Sequence, residues 1–266
     1  MTTSSMTVQS ADGTSIALEV TGSGQPVVLI GGAFNDRSTT AGLAEMLAPY
    51  YRAVTYDRRG RGDSGDESLD YTADREVDDL EAVIAYLGGT ASLFGHSSGA
   101  VLALEAAIRH LPVDKVAAYE PPFIPEGSRP RPAPDVAERL ARFVEADDRD
   151  GATALYQTEV IGLPSSMVEG MRQSEMWSFF TRLANSLPYD YALFEPGCPI
   201  PNARMAHIEV ATLVIAGSNT FPWLARAAKE VATAVPGSSY LSLEGQDHGI
   251  LQQPEALLTC LREFLG

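Results

Sequence analysis

Lysine is nearly missing from this chain: 2 Lys stand beside 17 Arg, and the 19 basic residues face 35 acidic ones, for a net charge of −16. A field of that sign repels phosphate backbones and anionic bilayers, which excludes nucleic acid and membrane surfaces as partners. Cysteine is scarce as well. Cys198 and Cys260 have no C-x-x-C spacing and no histidine beside them, so neither a zinc site nor a disulfide framework is suggested, and both read as structural thiols. Long apolar runs are absent: no stretch approaches the ~18 residues needed to span a bilayer. The opening Met1-Thr2-Thr3-Ser4-Ser5 lacks the charged and apolar regions of a secretion signal. Together these absences predict a soluble, cytoplasmic protein; a homodimer is left open.

What is present is an ordinary globular composition. The 266 residues are 45% hydrophobic and 20% charged, which fits one large domain carrying an insertion. Over the first 120 residues, short β-type runs alternate with helical segments, the pattern of an α/β fold with a mostly parallel sheet. Strands are expected at Met6 to Gln9, Ser15 to Val20, Pro26 to Ile30, Tyr51 to Tyr56, Ala91 to Phe94 and Lys115 to Tyr119. Val77, Leu80, Val83, Ile84 and Leu87 form one apolar stripe on a helix over Thr72 to Leu87, whereas Ala100 to Ile108 is apolar nearly all round and reads as a central buried helix.

The alternation breaks at Glu120 to Pro134, where six prolines exclude a helix or strand interior. It resumes with a strand at Thr212 to Ala216, a helix at Phe221 to Val235, a strand at Tyr240 to Leu243 and a helix at Pro254 to Phe264. Between the two parts the pattern is helical, with Asp135 and Glu138 spaced as a capping box and one further helical region over Pro164 to Ser186. The expected organisation is a core of residues 1–122 and 206–266 with a helical lid at 123–205.

Gly95-His96-Ser97-Ser98-Gly99 matches G-x-S-x-G after a predicted strand and before the apolar helix, the setting of a nucleophile elbow. There the turn strains Ser97, and side chains at Gly95 or Gly99 would clash with neighbouring backbone. A serine hydroxyl needs a base to become a nucleophile. His248, after the last predicted strand, can approach the same sheet edge and is the candidate base; His96 reads as a packing or orienting residue, and His110 and His207 as structural.

These residues resemble the α/β-hydrolase superfamily. The resemblance rests on Gly31-Gly32-Ala33-Phe34, on Tyr56 to Ser64, on the elbow, on the lid position and on Gly245 to Gly249. It implies an eight-stranded, mostly parallel sheet with helices on both faces, a lid after strand six, no cofactor and no metal, and an oxyanion hole from the backbone N–H groups of Ala33 and Ser98. Two departures stand out. Many relatives have His-Gly where this chain has Gly31-Gly32, and no Asp or Glu occurs at Gly217 to Trp223, where the triad acid is common.

A carboxylate stands elsewhere. Glu120 ends predicted strand six, where some branches of the superfamily resemble this chain by placing the acid, so Ser97, His248 and Glu120 form a candidate triad. A surface cap at the proline-rich hinge is the competing reading of Glu120. Asn219 is a neutral alternative orienting group, and Asp247 is a weaker candidate that should point away. Phe34, Trp177, Phe180 and Trp223 are expected to line an apolar pocket for a hydrophobic small molecule. Ser instead of Asp in the elbow favours acyl transfer to water, as in an esterase or lactonase. A lyase or cyclase using the same Ser-His pocket, and a ligand-binding module with a relict triad, are the rival readings.

Overall fold

The computed structural model of the protein describes residues 3–66 and 71–266. Eight strands, β1 (Thr3–Gln9), β2 (Ser15–Gly22), β3 (Pro26–Ile30), β4 (Arg52–Tyr56), β5 (Ala91–His96), β6 (Val113–Tyr119), β7 (Ala211–Gly217) and β8 (Ser239–Leu243), form one sheet in the order β1-β2-β4-β3-β5-β6-β7-β8. The pairs β1–β2 and β2–β4 are antiparallel, and every other pair is parallel.

Three helices follow strands of the first half: α1 (Arg37–Leu47), α2 (Ala73–Tyr86) and α3 (Ser98–Ile108). Six lie between β6 and β7: α4 (Val136–Glu145), α5 (Arg149–Leu155), α6 (Ser165–Arg172), α7 (Met176–Arg182), α8 (Leu187–Ala192) and α9 (Asn202–Met205); α10 (Pro222–Ala234) and α11 (Glu255–Leu265) complete the chain.

β3, near the middle of the sheet, is apolar at every position because both faces are covered. Along β3, Val28 and Ile30 join one cluster with Leu80 of α2, Leu102 of α3 and Val231 of α10, while Val27 and Leu29 join the other with Leu47 of α1 and Leu261 of α11. Ala100 to Ala107 of α3 are all buried, as an apolar circumference requires. Since β3 and β5 to β8 run parallel, the loops at their carboxyl ends gather on one edge of the sheet, where open α/β sheets bind ligands.

The chain leaves the sheet after Tyr119 and re-enters at Ala211. The intervening helices build an apolar cluster of their own from residues such as Ile124, Leu140, Leu155 and Leu187, joined by Phe34 from the loop after β3. Phe123, Leu193 and Met205 instead pack into the cluster beneath α3. Two local expectations are corrected here. Asp135 makes no side-chain cap, because its backbone (φ −93°, ψ 6°) lacks the extended conformation of an N-cap; its carboxylate faces Arg139 at 3.8 Å. The helical region Pro164 to Ser186 is broken between Arg172 and Met176 into α6 and α7, followed by a 3₁₀ turn at Ala184–Ser186.

Candidate active site

β5 ends at His96 and α3 begins at Ser98, so Ser97 alone reverses the chain, with φ 57° and ψ −124°. An L residue holds that conformation only where its surroundings over-determine it. A Cβ at Gly95 would lie 2.3 Å from the Gly99 carbonyl oxygen, and one at Gly99 would lie 2.3 Å from that of Ile30, so both glycines are sterically obligatory. The Ser97 N–H donates to the Tyr119 carbonyl (2.9 Å), fixing the elbow to the end of β6.

Glu120 follows directly. It too has positive φ (47°) and is 0% exposed. Its Oε1 accepts from the Gly217 N–H (2.8 Å), and its Oε2 accepts from Thr220 Oγ1 (3.0 Å) and meets His248 Nδ1 at 2.6 Å. A carboxylate surrounded by donors is a satisfied buried acceptor and not a surface cap. The last residue of β7 and the loop after it therefore contribute a backbone N–H and a hydroxyl to an acid just past the neighbouring strand. Thr220 carries no motif, and the sequence reading missed it.

With Nδ1 engaged by Glu120, His248 lines the same cavity as Ser97. The loop that presents the ring is pinned twice: Tyr119 Oη donates to the Asp247 carbonyl (2.6 Å), and His96 Nε2 donates to the His248 carbonyl (2.8 Å). A carbonyl can only accept, so Nε2 of His96 carries its proton. Burial and the neighbouring His248 push the His96 pKa down to about 3, which keeps that ring neutral. The other two orienting candidates lie elsewhere. Asp247 Oδ1 accepts from the Gly249 N–H, and Asn219 Nδ2 donates to the Gly245 carbonyl (3.2 Å).

Ala33 and Ser98, the candidate oxyanion donors, flank Ser97 from the loop after β3 and from the first residue of α3, where backbone N–H groups have no intrahelical partner. The Gly-Gly departure has a steric counterpart. Asn35 Cβ stands 2.9 Å from where a Cβ on Gly31 would sit, and Asn35 Oδ1 accepts from the Gly32 N–H (3.3 Å). Beneath the loop lies a buried ionic cluster. Arg61 Nη1 donates to the carbonyls of Gly32 (2.7 Å) and Asn35 (3.1 Å), while Asp190 of α8 accepts from Arg58, Arg61 and Ser98 Oγ.

The cavity above Ser97 has a volume of about 430 Å³, within the range of small-molecule sites. Phe34, Phe180 and Trp223 line it, Phe34 meeting Phe180 and Tyr156 edge to face at 5.0 and 5.5 Å. Trp177 does not line it. Its indole N–H needs an acceptor and finds Asp150 Oδ1 (2.7 Å) on α5, which draws the ring away and leaves it packed on Phe180. Among the described residues lining the cavity there is no Lys, Arg, Asp or Glu.

The sheet order, the strained serine elbow and the carboxylate-bound histidine define a class: an enzyme of the hydrolase type, built on a mixed, mostly parallel eight-stranded sheet. The chain belongs to the alpha/beta hydrolase family, whose model matches residues 27–259. It is similar to the crystal structure of an alpha/beta hydrolase from Sphaerobacter thermophilus, with 44% identity and a TM-score of 0.91 over 98% of this chain and 100% of that one. Curated relatives match over shorter stretches. An uncharacterized hydrolase of Bacillus subtilis is 36% identical over 113 residues, 41% of this chain and 41% of its own length. A 2-hydroxy-6-oxo-6-(2'-aminophenyl)hexa-2,4-dienoic acid hydrolase of Metapseudomonas resinovorans is 30% identical over 94 residues, 34% of this chain and 32% of its own. Among the described residues no helix is long and apolar enough to cross a membrane.

Proposed function

We propose that this chain is a serine hydrolase that cleaves an ester, lactone or related carbonyl bond of a neutral, hydrophobic small molecule through an acyl-enzyme. Ser97 Oγ attacks the carbonyl carbon as its proton passes to His248 Nε2. The negative charge that builds on the carbonyl oxygen is met by the N–H groups of Ala33 and Ser98. His248 returns the proton to the leaving oxygen, and water repeats the sequence in reverse to release the acid. Glu120 holds the imidazole by Nδ1–H and stabilises the imidazolium. No step draws on a cofactor.

The observation that carries this reading is the 2.6 Å contact between His248 Nδ1 and the fully buried Glu120. It supports Glu120 as the orienting acid in a chain with no Asp or Glu at Gly217 to Trp223. Neutrality of the substrate is favoured by the lining, which among the described residues carries no Lys or Arg to pair with an ionised group. The Metapseudomonas relative is named for an acid substrate; the uncharged walls favour an uncharged one here.

A fluorophosphonate probe read by intact mass tests the proposal. One adduct on the wild type and none on Ser97→Ala is expected, together with turnover of a simple aryl ester. Equal labelling of the two proteins would remove Ser97 from the mechanism.

A further inference from the structure

One polar side chain in the cavity wall has no role in this chemistry. Gln157 is 2% exposed and lines the cavity, and among the described residues its amide nitrogen Nε2 has no hydrogen-bond partner. Thr39 lines the same cavity, and among the described residues its buried Oγ1 is likewise without a partner. An amide and a hydroxyl left unmatched in an apolar wall oppose folding unless something else completes them. Val160, Ile161, Phe180 and Leu224 on the same wall would accept an aliphatic chain.

The backbone beneath Gln157 is also unusual. α5 passes at Leu155 into a π-helical turn, Tyr156–Ile161, that ends at Gly162 in the left-handed conformation. A π turn costs hydrogen-bond quality and is found disproportionately at functional sites. This one sets Tyr156, Gln157, Val160 and Ile161 on the cavity wall together.

We propose that Gln157, with Thr39, forms a polar subsite that hydrogen-bonds a second, uncharged oxygen of the substrate, so that the substrate is an apolar carbonyl compound carrying a ketone, ether or further carbonyl oxygen away from the bond that is cleaved. Nε2 donates to that oxygen, and the Thr39 hydroxyl, as donor or acceptor, completes the pairing. A carboxylate is a poor occupant because no cation lines the cavity. The subsite rests on the hydrolase reading only in taking the scissile carbonyl to sit at Ser97.

The test is a set of p-nitrophenyl esters of one chain length, all-methylene or with an ether or ketone oxygen moved stepwise along the acyl chain. They are assayed on the wild type, Gln157→Leu and Thr39→Val. In the wild type one oxygen position is expected to raise kcat/KM over the methylene ester by about tenfold, mainly through KM. Gln157→Leu is expected to abolish that ratio, and Thr39→Val to reduce it. Gln157→Leu should also melt no lower than the wild type, since it removes an unmatched buried group. A ratio unchanged by Gln157→Leu, or a melting point lowered with no oxygen preference in the wild type, would make Gln157 structural and overturn the subsite. If the wild type turns over none of the esters, the hydrolase reading fails separately. The subsite is then read by thermal shift on Ser97→Ala: a larger shift with an oxygenated ester that disappears in Ser97→Ala/Gln157→Leu supports it, and equal shifts overturn it.

Discussion

Asp190 Oδ2, on α8, accepts from Arg61 Nη2 at 2.8 Å, and both side chains are fully buried. The partners are separated by 129 residues, so this pair ties the helices between β6 and β7 to the loop whose Ala33 N–H is assigned to the oxyanion. Burial alone would raise the Asp190 pKa; the guanidinium groups of Arg61 and Arg58 outweigh it and hold the carboxyl below its usual value. Asp190→Asn would leave the buried Arg61 without its anion, while Arg58 keeps Glu76, an effect of about 3–5 kcal/mol. A large fall in the urea midpoint is expected, and replacing the pair jointly as Arg61→Met/Asp190→Leu should recover part of it. A midpoint within experimental error of the wild type in Asp190→Asn would show that the ion pair carries no stability.

Glu120→Gln keeps the shape of the acid but removes its charge and reverses what it offers to Nδ1. We expect kcat for an aryl ester to fall by about 10³- to 10⁴-fold. Thr220→Val removes one of the donors on Glu120 Oε2 and should cost far less, about threefold to tenfold. Asn219→Ala should change kcat little, since Asn219 serves the Gly245 carbonyl. Steady-state kinetics of the three variants rank them, and a larger loss in Asn219→Ala than in Glu120→Gln would transfer the orienting role to the loop after β7.

The strands, the buried helix α3 and the elbow were legible because each leaves a local mark: apolar runs, an apolar circumference, and glycines forced by contacts of 2.3 Å. Glu120 was legible by position, at the end of a strand adjacent to the elbow's own. What stayed hidden depends on partners distant in sequence. Arg58 and Arg61 stood out only as part of the segment Tyr56 to Ser64, and nothing in the sequence pairs them with Asp190, which they meet across more than 120 residues. Trp177 looked like pocket lining because helical spacing reports that an aromatic is inward, not whether it faces a cavity or a neighbouring helix. Gln157 had no mark at all, since a π turn leaves no periodic signature in six residues.

His96 predicts a pH dependence of stability. Its pKa is about 3 in the folded state against an ordinary 6.5, first because burial disfavours the charged ring and second because His248 is near. Between those values the unfolded chain binds a proton that the folded chain refuses. Stability is therefore fully retained above about pH 6.5 and is lost as the pH falls toward 3, at about 1.4 kcal/mol per pH unit for this group. His96→Gln keeps a donor for the His248 carbonyl and does not titrate. Urea unfolding from pH 7.5 to 4.5 should give a shallower decline in His96→Gln than in the wild type, and parallel curves would contradict the assignment.

Cys198 lines the same cavity as Ser97, so the two nucleophiles must be told apart. Burial pushes the Cys198 thiol up to about 12, an effect that the nearby Arg129 and Arg131 only partly oppose. The reactive species of a cysteine is the thiolate, and near pH 8 almost none is present at that value. Iodoacetamide at pH 8 is accordingly expected to leave ester turnover intact, while a fluorophosphonate abolishes it. Cys198→Ser should retain fluorophosphonate labelling. Loss of activity with iodoacetamide that tracks carboxymethylation of Cys198 by mass would mean that the thiol ionises far more readily than its surroundings imply.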